Sequence, residues 1–287
     1  EMADGKLIYD AKTQKLSLKN VELSINFNNE EKDITDIVGD TIVSQTMHYL
    51  VSDKSEGITI ESQGWTTDIQ YDKFNYAFVC VPTEMKEDGS CDTSEIEWII
   101  PKIKADVIII KSAIPVGTCE SFHLENIVIS PEYYGTTQHS LESPNFVILG
   151  GNKTYSSMCV ELYSKVKDGS FRFIFTDWRT AELAKYMENC WIATKVTFCN
   201  EFAKIAEAYG INYPELRECF VADERVSSSH TYVYKDKPYY DSHCLNKDIP
   251  ALLMMAKDND IQTPLMTSIF KINNQIKNSN TSDNNTI

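Results

Sequence analysis

Hydrophobic residues recur at three- and four-residue steps through residues 176–210, and this spacing predicts one long helix. Thr176 or Asp177 can cap its start with a side-chain oxygen, and Gly210 suits a left-handed stop at its end. One apolar stripe along the helix is expected to face a core. The members of this stripe are Leu183, Met187, Trp191, Thr194 and Phe198.

A second stripe of the same helix is polar. Glu182, Lys185 and Asn189 follow the same steps, so an ammonium and a carboxamide one turn apart point in one direction. Such a pair can donate hydrogen bonds to a single acceptor. The alternative is an ordinary solvated face, and the helix pattern alone favours that interpretation.

Short apolar runs rich in β-branched residues alternate with helical segments between residues 33 and 175. These runs are typical of parallel strands buried on both faces, and the clearest examples are residues 76–82 (YAFVCVP) and 107–112 (VIIIKS). We therefore predict an α/β fold with a doubly wound parallel sheet. An all-α domain built on the long helix is expected to follow it over residues 176–275.

The two ends of the chain have patterns of their own. Residues 1–32 alternate apolar and polar positions, which predicts a β-rich extension of two or three short strands with turns near Lys12 and Lys19. Residues 276–287 are polar and rich in asparagine, so we expect a disordered tail there.

Composition narrows the possible partners. The net charge of −15 and the isoelectric point near 4.8 disfavour nucleic acid and anionic membranes, because both would repel the surface. No apolar run approaches the ~20 residues that span a bilayer, and no signal peptide is visible. The eight cysteines are scattered singly, without CxxC or Cys/His zinc spacing. We therefore predict free thiols, a cytoplasmic location and no bound metal.

Residues 39–44 (GDTIVS) occupy the turn where a dinucleotide-binding sheet carries G-x-G-x-x-G. Gly39 matches the first glycine, but Thr41 adds a side chain where the pyrophosphate would approach and Asp40 adds negative charge. Glu61 follows about 20 residues later, where an acidic side chain holds ribose hydroxyls. The spacing is at least as typical of an ordinary strand–loop–helix turn.

Five further segments occur in a fixed order along the chain. They are residues 78–94 (FVCVPTEMKEDGSCDTS), 108–118 (IIIKSAIPVGT), 129–135 (ISPEYYG), 181–210 of the long helix, and 244–252 (CLNKDIPAL). Together they resemble the nucleotide-sugar 6-dehydrogenase family, the UDP-glucose and GDP-mannose dehydrogenases, over roughly residues 34–273. The resemblance implies a Rossmann-like NAD-binding domain over residues 33–175. It also implies that the helical middle domain forms a homodimer through the long helix.

The resemblance implies the chemistry as well: NAD-dependent oxidation of a nucleotide sugar to the uronate, through a thiohemiacetal and a thioester on a cysteine. The implied nucleophile is Cys244, with Lys185 and Asn189 as donors to the developing oxyanion. Asp248, with Lys247 beside it, is implied to organise or deprotonate water. Glu132 is implied as a second acid/base group.

The resemblance assigns binding residues to the cofactor and to the substrate. The implied NAD-binding residues are Gly39, Thr41, Ile42, Val43, Glu61, Val81, Pro82, Thr83 and Ser112, although the altered glycine loop weakens the expected binding. The implied nucleotide-sugar contacts are Tyr133, Tyr134, Arg225 and His230. Arg225 and His230 are also compatible with a role in packing.

Several positions depart from the family pattern. Residues 241–242 (DS) stand where the family has paired glycines, residues 245–246 (LN) replace Phe-Pro, and Ala113 replaces a threonine. The family's C-terminal domain is expected to be absent after the middle domain. Two hypotheses therefore stay open. The chain is either an active nucleotide-sugar dehydrogenase or an inactive relative acting as a binding or assembly module, with Cys244 an ordinary thiol and Glu132 a loop carboxylate.

Overall fold

The structure is a computed structural model. It describes residues 74–133, 144–165 and 169–283, with side chains as far as residue 279, and the backbone of six short strands before residue 74. The chain divides into two compact units. The first comprises residues 1–83, 93–132 and 144–182, and the second comprises residues 84–92, 133–143 and 183–287.

The secondary structure begins with strands and ends with helices. The strands are β1 (Ile8–Asp10), β2 (Lys15–Leu18), β3 (Ser24–Phe27), β4 (Glu30–Asp33), β5 (Ile42–Ser44), β6 (Ile58–Glu61), β7 (Phe74–Val79), β8 (Ala105–Ile110), β9 (Ile127–Ile129), β10 (Phe146–Gly151) and β11 (Arg172–Thr176). The helices are α1 (Ser94–Ile99), α2 (Thr118–Ser121), α3 (Lys153–Tyr163), α4 (Trp178–Ala208), α5 (Tyr213–Val221), α6 (His243–Asp258) and α7 (Pro264–Asp283), with a 3₁₀ turn at Ile100–Lys102.

A six-stranded sheet in the order β11-β10-β9-β8-β7-β5 organises the first unit. Strands β5, β7, β8 and β9 are parallel, β10 is antiparallel to β9, and β11 is parallel to β10. Alternate residues of β8 enter different hydrophobic clusters: Ile108 and Ile110 pack with α1, and Val107 and Ile109 pack with α3. Both faces of the sheet are thus covered, as its continuous apolar strands require. The predicted α/β fold class, a Rossmann-like sheet followed by a helical domain, is confirmed.

The strands before residue 74 differ from the predicted ones in number and in position. Four short strands lie in or next to the predicted extension: β3 pairs with β4, and β1 and β2 join β6 in an antiparallel sheet. Strand β6, which ends at Glu61, is therefore outside the six-stranded sheet. Ile42 and Val43, predicted in the phosphate-binding turn, instead lie in strand β5 opposite residues 77 and 78 of β7. Their β-branched side chains favour a strand over a tight turn.

Helices form the second unit. The core between α4, α6 and α7 contains Cys190, Ala193, Leu245, Ile249 and Ile269. The last helix continues to residue 283, whereas the composition predicted a disordered tail from residue 276. The reason is a helical repeat of buried and half-buried positions that the polar composition conceals, and its members are Ile269, Asn273, Ile276 and Lys277.

The long helix α4 has the predicted ends. Asp177 Oδ1 accepts a hydrogen bond from the Thr180 backbone N–H at 2.9 Å and Oδ2 accepts one from the Thr180 hydroxyl at 2.7 Å, which caps the first turn. At the other end Gly210 has φ +69°, and Ile211 N–H donates to Ala206 O at 2.8 Å. This left-handed closure is a common C-terminal stop, so both end signals are confirmed.

The two stripes of α4 are placed opposite to the prediction. The apolar stripe that was expected to face a core is exposed: Met187 is 73% exposed and Trp191 60%, and Leu183 and Phe198 are also on the surface. The buried stripe contains Glu182, Tyr186, Asn189, Cys190 and Ala193. The helical period marks two faces, but which of them is covered depends on the elements packed around the helix.

Candidate active site

A buried polar network joins α4 to α6 in the second unit. Asp248 is 1% exposed, and each of its oxygens has a donor: Asn189 Nδ2 lies 2.5 Å from Oδ2, and Lys247 Nζ lies 2.6 Å from Oδ1. Asn189 and Lys247 are themselves buried. An isolated buried carboxylate is costly, and an ammonium with an amide donor compensates that cost. The structure therefore brings together three of the six predicted catalytic residues.

Cys244 lies in the first turn of α6, one helical turn before Asp248. Ser242 caps this turn, because its hydroxyl accepts from the Leu245 backbone N–H at 3.2 Å. The Cys244 side chain is exposed, and His243 Nε2 lies 3.6 Å from Glu84 Oε1. Residues four apart share a helix face, so the thiol and the Asp248 network lie on the same side of α6.

Lys185 has a carboxylate partner that sequence reasoning missed. Its ammonium lies 2.6 Å from Glu188 Oε2 on the same helix, and 4.6 Å from the centre of the Tyr133 ring. Burial raises the pKa of the Tyr133 phenol, and the Glu188 charge adds to this rise. The three-residue spacing of Lys185 and Glu188 was a usable signal for the pair.

Glu132 belongs to the first unit and contacts Lys111. The Lys111 ammonium lies 3.4 Å from Glu132 Oε2 and 3.4 Å from the Ser130 hydroxyl. Burial lowers the pKa of Lys111, but electrostatic interactions with Tyr163, Glu132 and Cys80 outweigh it and leave the pKa raised. Lys111 was not among the predicted site residues. Its place directly after a buried parallel strand was the signal that could have found it.

Two hydroxyls hold the segments that follow β7 and β8. Ser112 Oγ donates to Val81 O at 2.6 Å, and Thr83 Oγ1 donates to Ala113 O at 2.8 Å. Val81 and Thr83 are buried, whereas Pro82 and Ser112 are half-buried. Ligands of open α/β sheets bind at the carboxyl ends of the parallel strands. These segments therefore lie at the edge of the sheet where such ligands bind.

Only some of the remaining predicted cofactor and substrate residues lie in the described part of the chain. Gly39, Thr41 and Tyr134 lie outside the described residues, and of Glu61 only the backbone is described. Arg225 is largely exposed and pairs with Asp223 at 2.6 Å.

His230 lies in a loop whose contacts were not predicted from the sequence. Its φ is +60°, and its Nδ1 lies 2.5 Å from the Ser229 hydroxyl. The buried Arg217 holds this loop, because its Nε donates to Thr231 Oγ1 at 2.8 Å and its Nη2 donates to Ser228 O at 3.2 Å. A lone arginine on an amphipathic helix carries no sequence signal for such a contact.

The described part of the chain has neither a membrane-spanning helix nor a metal-binding cluster. None of its helices is long and apolar enough to cross a membrane. Nowhere in that part do three or more His, Cys, Asp or Glu side chains form a group able to hold a metal ion.

Two family models match this chain, one after the other along the sequence. A model described as the NAD binding domain of the UDP-glucose/GDP-mannose dehydrogenase family matches residues 41–167, and a model of the central domain of the same family matches residues 179–275. UDP-glucose 6-dehydrogenase of Rickettsia prowazekii (strain Madrid E) is 26% identical over 242 residues, which cover 79% of this chain and 54% of that protein. The chain spans about half the length of the curated relatives it matches.

Two solved structures are similar to a large part of this chain. UDP-D-ManNAc dehydrogenase from Pyrococcus horikoshii aligns with a TM-score of 0.58 at 27% identity, covering 70% of this chain and 50% of that chain. UDP-glucose dehydrogenase from the archaeon Pyrobaculum islandicum aligns with a TM-score of 0.62 at 20% identity, covering 70% of this chain and 50% of that one. The second similarity concerns the fold alone.

Proposed function

This chain belongs to the UDP-glucose/GDP-mannose dehydrogenase family, and from this premise we propose that it oxidises a UDP-glucose-like nucleotide sugar to the uronate with NAD. The buried network of Asn189, Asp248 and Lys247, one helical turn from the exposed Cys244, is the observation that carries the proposal. A buried carboxylate with two donors is an expensive arrangement to keep in a helix pair that serves only packing.

In the proposed chemistry the Cys244 sulfur forms a bond to the substrate carbon, and this bond is broken in the last step. The sugar alcohol first loses a hydride and a proton to become an aldehyde. The thiolate then forms a bond to the aldehyde carbon, and the resulting thiohemiacetal loses a second hydride and a proton to give a thioester. Water breaks the carbon–sulfur bond and releases the carboxylate and the thiol. When bound, NAD supplies the acceptor for each hydride.

Asn189 and Lys185 are proposed to stabilise negative charge on the reacting oxygen. An amide nitrogen carries two hydrogens and an ammonium three. After their contacts with Asp248 and Glu188, Asn189 and Lys185 therefore retain the capacity to donate to a substrate oxygen. Preorganised donors of this kind supply a large part of the rate enhancement in acyl-transfer chemistry.

Asp248 and Glu132 are proposed to divide the remaining roles. Asp248 is almost fully buried and has a donor on each oxygen, which favours orienting Asn189 and Lys247 over direct deprotonation of water. The Glu132 side chain is 45% exposed, so it is the better candidate for the acid/base group. Val81, Pro82, Thr83 and Ser112 are proposed to shape the NAD edge of the sheet.

We also propose that α4 pairs with α4 of a second copy. The exposed apolar residues Leu183, Met187, Trp191 and Phe198 form one stripe of this helix, and Phe202 continues it. Such a patch is typical of a protein interface, and a symmetric dimer would cover it. This face also supports the second candidate function, an inactive homologue that acts as an assembly module, because an interface of this kind needs no intact active site.

The experiment that separates the two candidates follows NADH absorbance with UDP-glucose and NAD. We expect NADH formation from the unmodified chain, its loss in Cys244→Ala, and its retention in Cys219→Ala, which removes the other exposed thiol. If titration calorimetry detects no saturable binding of millimolar NAD or NADH, the dehydrogenase proposal is wrong. Saturable NAD binding without NADH formation from any nucleotide sugar would favour the assembly module.

A further inference from the structure

Two residues on either side of Cys244 are bonded to each other across the start of α6. Asn246 Nδ2 donates to Asp241 Oδ1 at 2.9 Å. Ser242 is the N-cap of the helix, so Asp241 immediately precedes the cap and Asn246 is the fourth helical residue. These are the two positions that a hydrophobic staple joins in many helices, where it fixes the angle at which the chain enters. The staple in this chain is a hydrogen bond.

The staple is anchored to the last helix. Lys277 Nζ of α7 lies 2.5 Å from Asp241 Oδ1, and Lys237 Nζ lies 3.3 Å from Oδ2. The neighbouring backbone is held as well, since Tyr240 N–H donates to Asn273 Oδ1 at 2.8 Å and Asn273 Nδ2 donates back to Tyr240 O at 3.1 Å. The segment that leads into the thiol therefore has side-chain contacts on two consecutive residues.

The two lysines also balance the charge of the staple. A bare carboxylate next to a helix start would repel a thiolate in the first turn. Two ammonium groups within 3.3 Å of Asp241 oppose that repulsion, and the hydrogen bonds from Lys277 and Asn246 lower the pKa of its carboxyl to about 2. Asp241 and Asn246 are two of the positions at which the chain departs from the family pattern. Glycine has no acceptor and proline no donor in its side chain, so this bond is specific to the present pair.

We propose that Asp241 and Asn246 are positioning residues for the Cys244 thiol. Their hydrogen bond spans the first turn of α6 and fixes the backbone from which the Cys244 side chain projects. The inference rests on the proposed role of Cys244 as the nucleophile. It adds that the two departures compensate each other and preserve the thiol geometry.

The test measures alkylation of Cys244 by iodoacetamide at neutral pH, a reaction that needs neither NAD nor a sugar. The background carries Cys219→Ser, and Cys80 is a poor competitor because burial raises the pKa of its thiol to about 11. The modified residue is identified by mass spectrometry of peptides. We expect Asp241→Ala and Asn246→Ala each to slow alkylation about five-fold, because the first turn of α6, from which the thiol projects, loses the bond that orders it.

Two comparisons make the result specific. The double variant should be no slower than either single variant, because both break the same bond. Asn259→Ala removes a side-chain contact with Met255 O at the other end of α6, and it should leave the alkylation rate unchanged even where it lowers the melting temperature. Asp241→Asn keeps an acceptor for Asn246 and tests the staple if the alanine variant does not fold; we expect it to alkylate within about two-fold of the parent.

Wild-type alkylation rates in both alanine variants, with lowered melting temperatures, would overturn the proposal and reduce the staple to a structural contact. Rates that fall additively in the double variant would overturn it too. The proposed function is judged separately by NADH formation. A chain that forms no NADH but shows the coupled loss of thiol reactivity would refute the dehydrogenase and leave the positioning role intact.

Discussion

The long helix α4 has a buried face that is rich in polar side chains and an exposed face that is apolar. One face is buried and contains a carboxylate, a phenol and a carboxamide, at Glu182, Tyr186 and Asn189. The other is apolar and exposed, with Trp191 at its middle. In a helix that serves only its own fold the arrangement would be reversed. The polar face thus has partners within the chain, and the apolar face is the one that the proposed homodimer would cover.

Two polar groups on the buried face have partners that are distant along the chain. Glu182 accepts from the backbone N–H groups of Gly117 at 2.7 Å and Cys119 at 2.9 Å, and Asn189 donates to Asp248. These partners are 59 or more residues away along the chain. The face is therefore a set of tertiary attachments, and breaking them should cost more than changing the exposed face.

The largest effect should come from Asp248→Ala, which leaves the Lys247 ammonium buried without its carboxylate. We expect the free energy of unfolding, measured with urea, to fall by about 3–5 kcal/mol. Adding Lys247→Met to this variant should recover part of the loss. Asp258→Ala, at the exposed end of the same helix, is the matched control and should change stability by less than about 0.5 kcal/mol. Equal losses in the two single variants would show that the network contributes nothing.

A substitution on the apolar face should weaken the proposed dimer and leave the fold of the chain unchanged. Trp191→Glu places a charge at the centre of the proposed dimer contact, and we expect the dimer to be weakened by at least about 2 kcal/mol, or roughly 30-fold in dissociation constant. Light scattering over a dilution series measures this, and circular dichroism should show an unchanged helix content. Lys204→Ala, exposed on the same helix, should leave the dimer intact. A wild-type chain that is monomeric at high concentration would contradict the proposed pairing.

The contact at the start of the helix should give a smaller effect. Glu182→Ala deprives Gly117 and Cys119 of their acceptor, and we expect a loss of about 2 kcal/mol in the free energy of unfolding. Glu182→Gln should lose less, since one oxygen remains to accept. Glu207→Ala, on the exposed part of α4, controls for helix propensity. A melting temperature of Glu182→Ala equal to that of the control would argue against the contact.

The smallest effect should appear in how the stability of the chain depends on pH through Glu182. Burial raises the pKa of Glu182 above its ordinary value of 4.5, although its two backbone donors oppose the rise. The folded chain then holds this proton over a range where the unfolded chain has released it, so stability should fall as the pH rises above 4.5. Denaturation of the wild type and Glu182→Gln across this range measures the difference. A wild-type curve parallel to that of the variant would rule out a raised pKa.

The sequence was a good guide wherever a signal was local. The cap at Asp177 and the stop at Gly210 are each read from one or two residues, and both occur in the structure. The run VIIIKS predicted a strand buried on both faces, because only such a strand has no polar side. At the candidate site the sequence named Asn189, Asp248 and Lys247, but it did not predict that they bind one another.

By itself, then, the sequence determined the strands that are buried on both faces and where the long helix begins and ends, because these depend on side chains within a few residues. Tertiary structure decided the rest. Only packing selected the polar stripe of α4 as the buried one, paired Asp241 with Asn246 and Lys277, and extended the last helix through a polar tail. The physical reason is that burial and hydrogen bonding of a polar group are decided by neighbours that are distant in sequence, and a local pattern carries no information about them.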